Sequence, residues 1–164
     1  MATTNYSVLF LCTGNSARSI MAESLLNHLG RGRFTAHSAG SHPSGKVNPF
    51  AIETMREWGV DPGVPRSKSW DEFAAPGAAP IDFIITVCDN AAGEACPIWP
   101  GKPVTAHWGV PDPASVEGDE ASKRAAFLEA ATALRRRIEL FLALPIAKLD
   151  ARSMKAEMRD IGGQ

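Results

Sequence analysis

The chain has little cysteine: three among 164 residues, at Cys12, Cys88 and Cys96. An odd count forms no disulfide framework, and no Cys/His cluster has the spacing of a zinc site or a C-x-x-C redox pair. A metal centre is therefore not expected. Charge of one sign is lacking too. Lys and Arg number 17 against 18 Asp and Glu, a formal net charge of −1, which removes any global attraction for nucleic acid or an anionic membrane. No apolar run approaches the roughly 18 residues of a membrane span, and MATTNYSVLFLC lacks the basic and apolar regions of a secretory signal. The nucleotide loops G-x-x-x-x-G-K-[ST] and G-x-G-x-x-G are absent. Together these absences predict a cytoplasmic monomer with reduced thiols, no nucleic-acid or membrane partner, and anion recognition that is local.

What is present is an ordinary globular composition, 45% hydrophobic and 21% charged. It predicts one domain over residues 1–164, with 146–164 as a C-terminal tail carrying a short helix in which Met154, Met158 and Ile161 are in phase. Ser7–Leu11 reads as a short buried strand closed by a Gly-containing turn. From Ser19 the period becomes helical through Ile20, Met21, Leu25, Leu26 and Leu29, with Gly30 as the stop. Phe34–Ala39 is a second strand, and Asn48-Pro49 starts a helix through Ile52, Met55 and Trp58. Ser69-Trp70-Asp71-Glu72 has the form of a capping box. Ile81–Cys88 and Val104–Trp108 read as strands, and Glu120–Leu142 as a helix burying Phe127, Leu128, Ala131, Leu134, Ile138, Phe141 and Leu142. The alternation predicts an α/β fold with a parallel sheet. Ligands of such sheets bind at the carboxyl ends of the strands, where Cys12, Cys88 and the loop holding Asp112 all fall.

The chemistry concentrates at Cys12–Ser19. A free thiol has a pKa of about 8.5, and a helix N-terminus with a nearby guanidinium favours its anion. Thr13, Gly14, Asn15, Ser16 and Ala17 would form a turn with converging N–H groups, Gly14 supplying the unusual dihedrals and Asn15 holding the turn closed. Such a nest at a helix start takes a tetrahedral oxyanion, Arg18 can grip two of its oxygens, and the Ser19 hydroxyl can support the thiolate. Read alone, Asp112 before Pro113 is equally ordinary turn chemistry, and Cys88 equally an inert core cysteine. His37, His107 and Trp108 read as packing residues. Arg135–Arg137 reads as a solvated helix face, with a docking patch for a reductase as the alternative.

VLFLCTGNSARSIMAE resembles the phosphate-binding loop of the low-molecular-weight protein tyrosine phosphatases, a family that includes arsenate reductases of the same fold. HSAG at His37–Gly40, VCDNAAGEACP at Val87–Pro97 and HWGVPDP at His107–Pro113 extend the resemblance. It implies a three-layer α/β sandwich whose small parallel sheet has about four strands. It also implies Asp112 as general acid. The phosphotyrosine-specific members carry aromatics after this D-P, whereas here the sequence is DPASVEG. With two further thiols, that favours the thioredoxin-linked arsenate reductases over a tyrosine phosphatase or phosphomonoesterase using Cys12, Arg18 and Asp112. The resemblance implies Cys88 and then Cys96 as resolving thiols. No bound cofactor is implied, only an external reductant: thioredoxin, glutaredoxin or a low-molecular-weight thiol, the Cys88–Cys96 interval being slightly long for the thioredoxin-linked type. Some relatives also bind a monovalent cation beside the loop, where Asn15, Glu23 and Ser38 match and no fourth ligand is evident.

Overall fold

The computed structural model describes residues 5–75, 77–87 and 103–163. Its centre is a four-stranded, all-parallel sheet in the order β2-β1-β3-β4. The strands are β1 (Tyr6–Cys12), β2 (Phe34–Gly40), β3 (Phe83–Thr86) and β4 (Val104–His107). Because β1 pairs with β2 on one side and β3 on the other, the order reverses at β1. That switch point opens a crevice at its carboxyl end.

Alternation along β1 explains the layers. Val8, Phe10 and Cys12 belong to one buried cluster, Leu9 and Leu11 to another, as the two-residue period of a strand requires. The larger cluster is covered by α1 (Arg18–Leu29), α4 (Glu120–Leu142) and α5 (Ala151–Gly162). Phe141 of α4 is its hub, with ring centroids 5.1 Å from Phe34, 5.3 Å from Phe83 and 5.8 Å from Trp108. The smaller cluster is covered by α3 (Asp71–Ala74), through Trp70 and Phe73. The helix α2 (Pro49–Glu57) starts as its sequence dictates, with the Asn48 side chain accepting from the Phe50 N–H and Pro49 in the first turn. In α5, Met154, Met158 and Ile161 are all buried, so the tail is docked helix.

The differences from expectation are local. Leu128 is exposed: it lies about 100° round the helix from Phe127, outside the stripe of Phe127, Ala131, Leu134, Ile138 and Phe141. Leu142 is half-buried at the rim. No capping box forms at α3; the Ser69 hydroxyl instead accepts from the Asp71 N–H two residues on. The strand expected over Ile81–Cys88 spans Phe83–Thr86, although the Val87 N–H still donates to Leu11. Cys88 and Cys96 lie outside the described residues. Among the described residues, no helix is long and apolar enough to cross a membrane.

Candidate active site

β1 delivers Cys12, 5% exposed, to the switch point, and the chain turns through residues 13–17 into α1. The carbonyls of this turn are tied outward. Thr13 accepts from the His42 N–H at 2.9 Å, Gly14 from the Ser44 N–H at 3.0 Å and the Ser67 hydroxyl at 3.1 Å, and Ser16 from the Asn48 N–H at 2.9 Å. In a trans peptide the C=O and the next N–H point in opposite directions. Anchoring these carbonyls on one side therefore turns the N–H groups of Gly14, Asn15 and Ala17 to the other. The first-turn amides of α1 have no intrahelical acceptor by geometry, and its Ala17 cap supplies no side-chain bond. Donors of the turn and of the helix start thus suit one tetrahedral oxyanion.

The residue in the left-handed region is Asn15, at φ 46°, not Gly14 as expected. Asparagine tolerates that region better than most residues because its short side chain bonds locally. Here Asn15 is fully buried; its Nδ2 donates to Ser19 Oγ at 2.9 Å and its Oδ1 accepts from the Lys68 N–H at 2.8 Å. The turn is held closed from both sides, as expected of Asn15. Ser19 Oγ, serving as acceptor to Asn15, keeps its own hydrogen to donate.

Arg18 opens α1. Its Nη1 donates to the Val110 carbonyl at 2.8 Å, and its Nη2 lies 3.8 Å from Asp112 Oδ2. The pair is an ion pair across a gap too long for a hydrogen bond. Asp112 is itself the cap of the short 3-10 turn Pro113–Ser115, its Oδ1 accepting from the Ala114 N–H at 2.9 Å. Turn chemistry and proximity to the site therefore coexist at Asp112. The structure brings Cys12, Thr13–Ala17, Arg18, Ser19 and Asp112 together, while Cys88 and Cys96 are not described.

Sequence reasoning assigns no site role to two further contributors. Gly40 is level with Cys12 across the β1–β2 pairing, and a Cβ there would lie 2.4 Å from the Thr13 carbonyl oxygen and 3.0 Å from the Asn15 nitrogen. Lys68 is the second. It is 9% exposed, its Nζ donates to the Arg66 carbonyl at 3.1 Å and stands 3.5 Å from Ser38 Oγ. Ser38 Oγ in turn bonds the Glu23 carboxylate at 3.2 and 3.3 Å. Burial pushes the Glu23 carboxyl above its ordinary pKa, opposed by the Lys68 charge. Burial likewise pulls Lys68 down, opposed by Glu23. The residues suggested for a monovalent cation do not suit an added ion. Lys68 already brings its ammonium to Ser38, and its own N–H engages the Asn15 amide oxygen.

His37 and Trp108 pack as expected. The His37 ring lies 5.3 Å from Phe73, and burial lowers its pKa. Trp108 is wholly buried, its Nε1 donating to the Met158 carbonyl at 2.9 Å. His107 Nδ1 lies 2.7 Å from Thr86 Oγ1. Among the described residues, no group of three or more His, Cys, Asp or Glu could hold a metal ion.

The chain is similar to known proteins. An arsenate reductase of Bacillus licheniformis is 40% identical over 136 residues, 82% of this chain and 94% of its own. The solved structure of an arsenate reductase in the phosphate-binding state superposes with a TM-score of 0.65 at 28% identity, covering 84% of this chain and 97% of that one. A thioredoxin-dependent arsenate reductase of Corynebacterium glutamicum superposes with a TM-score of 0.61 at 25% identity, covering 90% of this chain and 66% of that one. The family model for low molecular weight phosphotyrosine protein phosphatase matches residues 7–155. With its thiol at the switch point and its oxyanion turn at a helix start, the chain belongs to the low molecular weight phosphotyrosine protein phosphatase family.

Proposed function

We propose that this chain reduces arsenate to arsenite by a relay of its three thiols. The observation that carries the reading is Cys12 at the mouth of a turn whose carbonyls are tied away from it, beside Arg18 and Asp112. The relatives named arsenate reductase support the choice of anion.

Arsenate enters the turn as a phosphate-like oxyanion, held by the N–H groups of residues 13–18 and by Arg18. The Cys12 thiolate attacks arsenic, and one arsenic–oxygen bond breaks. Asp112 donates the proton that lets this oxygen leave as water. The Ser19 hydroxyl, already oriented by Asn15, stabilises the thiolate. The Cys88 thiolate then attacks the Cys12 sulfur. The arsenic–sulfur electrons pass to arsenic, which leaves as arsenite with arsenic two electrons more reduced, and a Cys12–Cys88 disulfide remains. Cys96 attacks Cys88, freeing Cys12 as thiolate and forming Cys88–Cys96, which an external dithiol reduces. The thioredoxin-dependent relative supports thioredoxin as that dithiol, and a reducing, cytoplasmic compartment suits the cycle. The same turn accepts phosphate, so slow phosphomonoester hydrolysis through Cys12, Arg18 and Asp112 accompanies the main activity.

The test is arsenate turnover coupled to thioredoxin, thioredoxin reductase and NADPH. Cys12→Ser should release no arsenite. Cys88→Ser should stop at the arsenylated Cys12. Cys96→Ser should complete about one turnover and accumulate the Cys12–Cys88 disulfide, seen as a mass loss of about two hydrogens. Sustained wild-type turnover by both Cys88→Ser and Cys96→Ser would remove the relay.

A further inference from the structure

The three consecutive arginines of α4 do not share one environment. Arg135 faces outward, its guanidinium 5.5 Å from the Trp58 ring centroid and its Nε 3.5 Å from Glu139. Arg136 is exposed. Arg137 is 8% exposed, and its Nη1 donates to the Gly109 carbonyl at 2.9 Å. Neither a solvated face nor a docking patch describes Arg137. Burying a guanidinium is costly unless its hydrogen bonds accomplish something, and helix packing alone would be met by an apolar side chain.

The partner explains the placement. Gly109 lies in the strap that leads from β4 to Asp112. The Trp108 N–H donates to Thr86 at 2.7 Å and the Val110 N–H to Val87 at 3.0 Å, so the strap continues the pairing with β3. The Gly109 C=O and the Val110 N–H belong to one rigid peptide plane. One edge is fixed by Val87 and the other by Arg137. The next plane presents the Val110 carbonyl to Arg18 at 2.8 Å, and Pro111, which has no N–H to bond elsewhere, leads directly into Asp112.

We propose that Arg137 is a positioning residue for the reaction: by pinning the Gly109–Val110 peptide it aims the Val110 carbonyl at Arg18 and sets Asp112 beside the oxyanion turn. The inference rests on the proposed function for its assay, but not for its geometry. On this proposal Arg137 acts through the strap. Loss of its hydrogen bond frees one edge of the plane, and angstrom-scale misplacement of catalytic groups costs up to about a hundredfold in rate.

The test compares Arg137→Met and Arg137→Lys, alone and in an Asp112→Asn background, by melting temperature, kcat and KM for arsenate, and the pH dependence of kcat. Arg137→Met should lower kcat by about tenfold or more, alter the pH profile of kcat, and add little in the Asp112→Asn background, since the two act through one loop. Arg137→Lys, which keeps a cationic donor, should recover most of the loss. If Arg137→Met does not fold, Arg137→Gln, which is too short to reach the Gly109 carbonyl from the same backbone position, decides. A folded glutamine variant with impaired kcat and an altered pH profile supports the proposal, and one with wild-type kcat and profile overturns it. A folded Arg137→Met with wild-type kcat and profile, or with a full, additive loss on Asp112→Asn, also overturns it. Should the wild type itself turn over no arsenate, the functional reading fails separately. Protection of Cys12 from iodoacetamide by inorganic phosphate then tests Arg137: several-fold weaker protection in Arg137→Met supports it, and unchanged protection refutes it.

Discussion

Replacing Gly40 by alanine tests how rigidly the β2 end shapes the oxyanion turn. The added Cβ would stand 2.4 Å from the Thr13 carbonyl oxygen, 3.0 Å from the Cys12 carbonyl oxygen and 3.0 Å from the Asn15 nitrogen. All three are backbone atoms, so no flexible side chain can swing aside. Gly40 is not among the glycines at positive φ, so the penalty is contact rather than dihedral strain. Ordinary contact begins at 3.4 Å, and relief therefore demands a shift of about 1 Å in the turn or in β2. β2 cannot retreat cheaply, because Gly40 donates to Lys68 and accepts from Trp70. The turn must then give, straining the Thr13 bond to His42. Overpacking of this kind costs about 1–3 kcal/mol, and an angstrom of displacement at an oxyanion site costs about a hundredfold in kcat/KM. Urea denaturation measures the first quantity, and arsenate turnover with phosphate protection of Cys12 from alkylation measures the second. Gly14→Ala is the control for stability, since a Cβ there meets nothing within 4 Å, and it should unfold as the wild type does. Gly40→Ala with wild-type stability and wild-type anion protection would refute the view that this contact shapes the turn.

Asn15→Ala should destabilise the fold by on the order of 3 kcal/mol, combining left-handed strain for a Cβ-bearing residue with the loss of its bonds to Ser19 and Lys68. Asn15→Gly should recover only the strain, about 1 kcal/mol, and equal urea midpoints for the two variants would remove the strain argument. Glu23 gives a pH prediction. Burial holds its folded pKa above 4.5, so the folded state binds more protons than the unfolded one between 4.5 and that raised value. The stability this contributes is complete below 4.5 and is lost as pH rises through the folded pKa. Glu23→Gln should therefore make the fall of stability with pH shallower from 4.5 upward, measured as urea midpoints across that range. An unchanged slope would mean that Glu23 is not desolvated as described.

What the sequence reveals of this site follows from where its parts lie along the chain. Cys12, the turn and Arg18 are legible because one strand-turn-helix segment builds them, and each residue's local role is written in its neighbours. The helix Glu120–Leu142 is legible from its apolar period, and the structure adds the Asp119 cap that starts it. Asp112 is readable only through resemblance, because the turn alone accounts for an Asp-Pro pair. Lys68 and Gly40 are hidden for a different reason. Lys68 meets Asn15 across 53 residues through a backbone N–H, and Gly40 acts through the absence of a side chain. Lys68 leaves no residue-type signal, and Gly40, although it closes the HSAG match, gives no sign of the backbone it meets. The Val110 carbonyl, 92 residues from Arg18, is likewise invisible. Asn15 rather than Gly14 at positive φ shows that a glycine in a turn does not identify the strained position. Burial of Arg137 in a run of three arginines shows that charge alone does not assign a helix face.

The geometry also specifies which atom of Asp112 would carry the proton on the proposed function. Its two oxygens are not equivalent. Oδ1 accepts from the Ala114 N–H at 2.9 Å, which fixes it as an acceptor inside the 3-10 turn. Oδ2 faces Arg18 Nη2 across 3.8 Å. A proton on Oδ1 would have to compete with that backbone donor, so the acidic hydrogen belongs on Oδ2, the oxygen toward the oxyanion turn. The 3.8 Å gap matters as much as the direction. A close bidentate pair with Arg18 would hold Asp112 as a carboxylate and take up the donors Arg18 needs for the anion. Instead Arg18 rests Nη1 on the neutral Val110 carbonyl, which orients the guanidinium without neutralising it. The strap therefore serves both residues, giving Arg18 an uncharged acceptor and holding Asp112 beside Arg18, where the proposed function needs its proton.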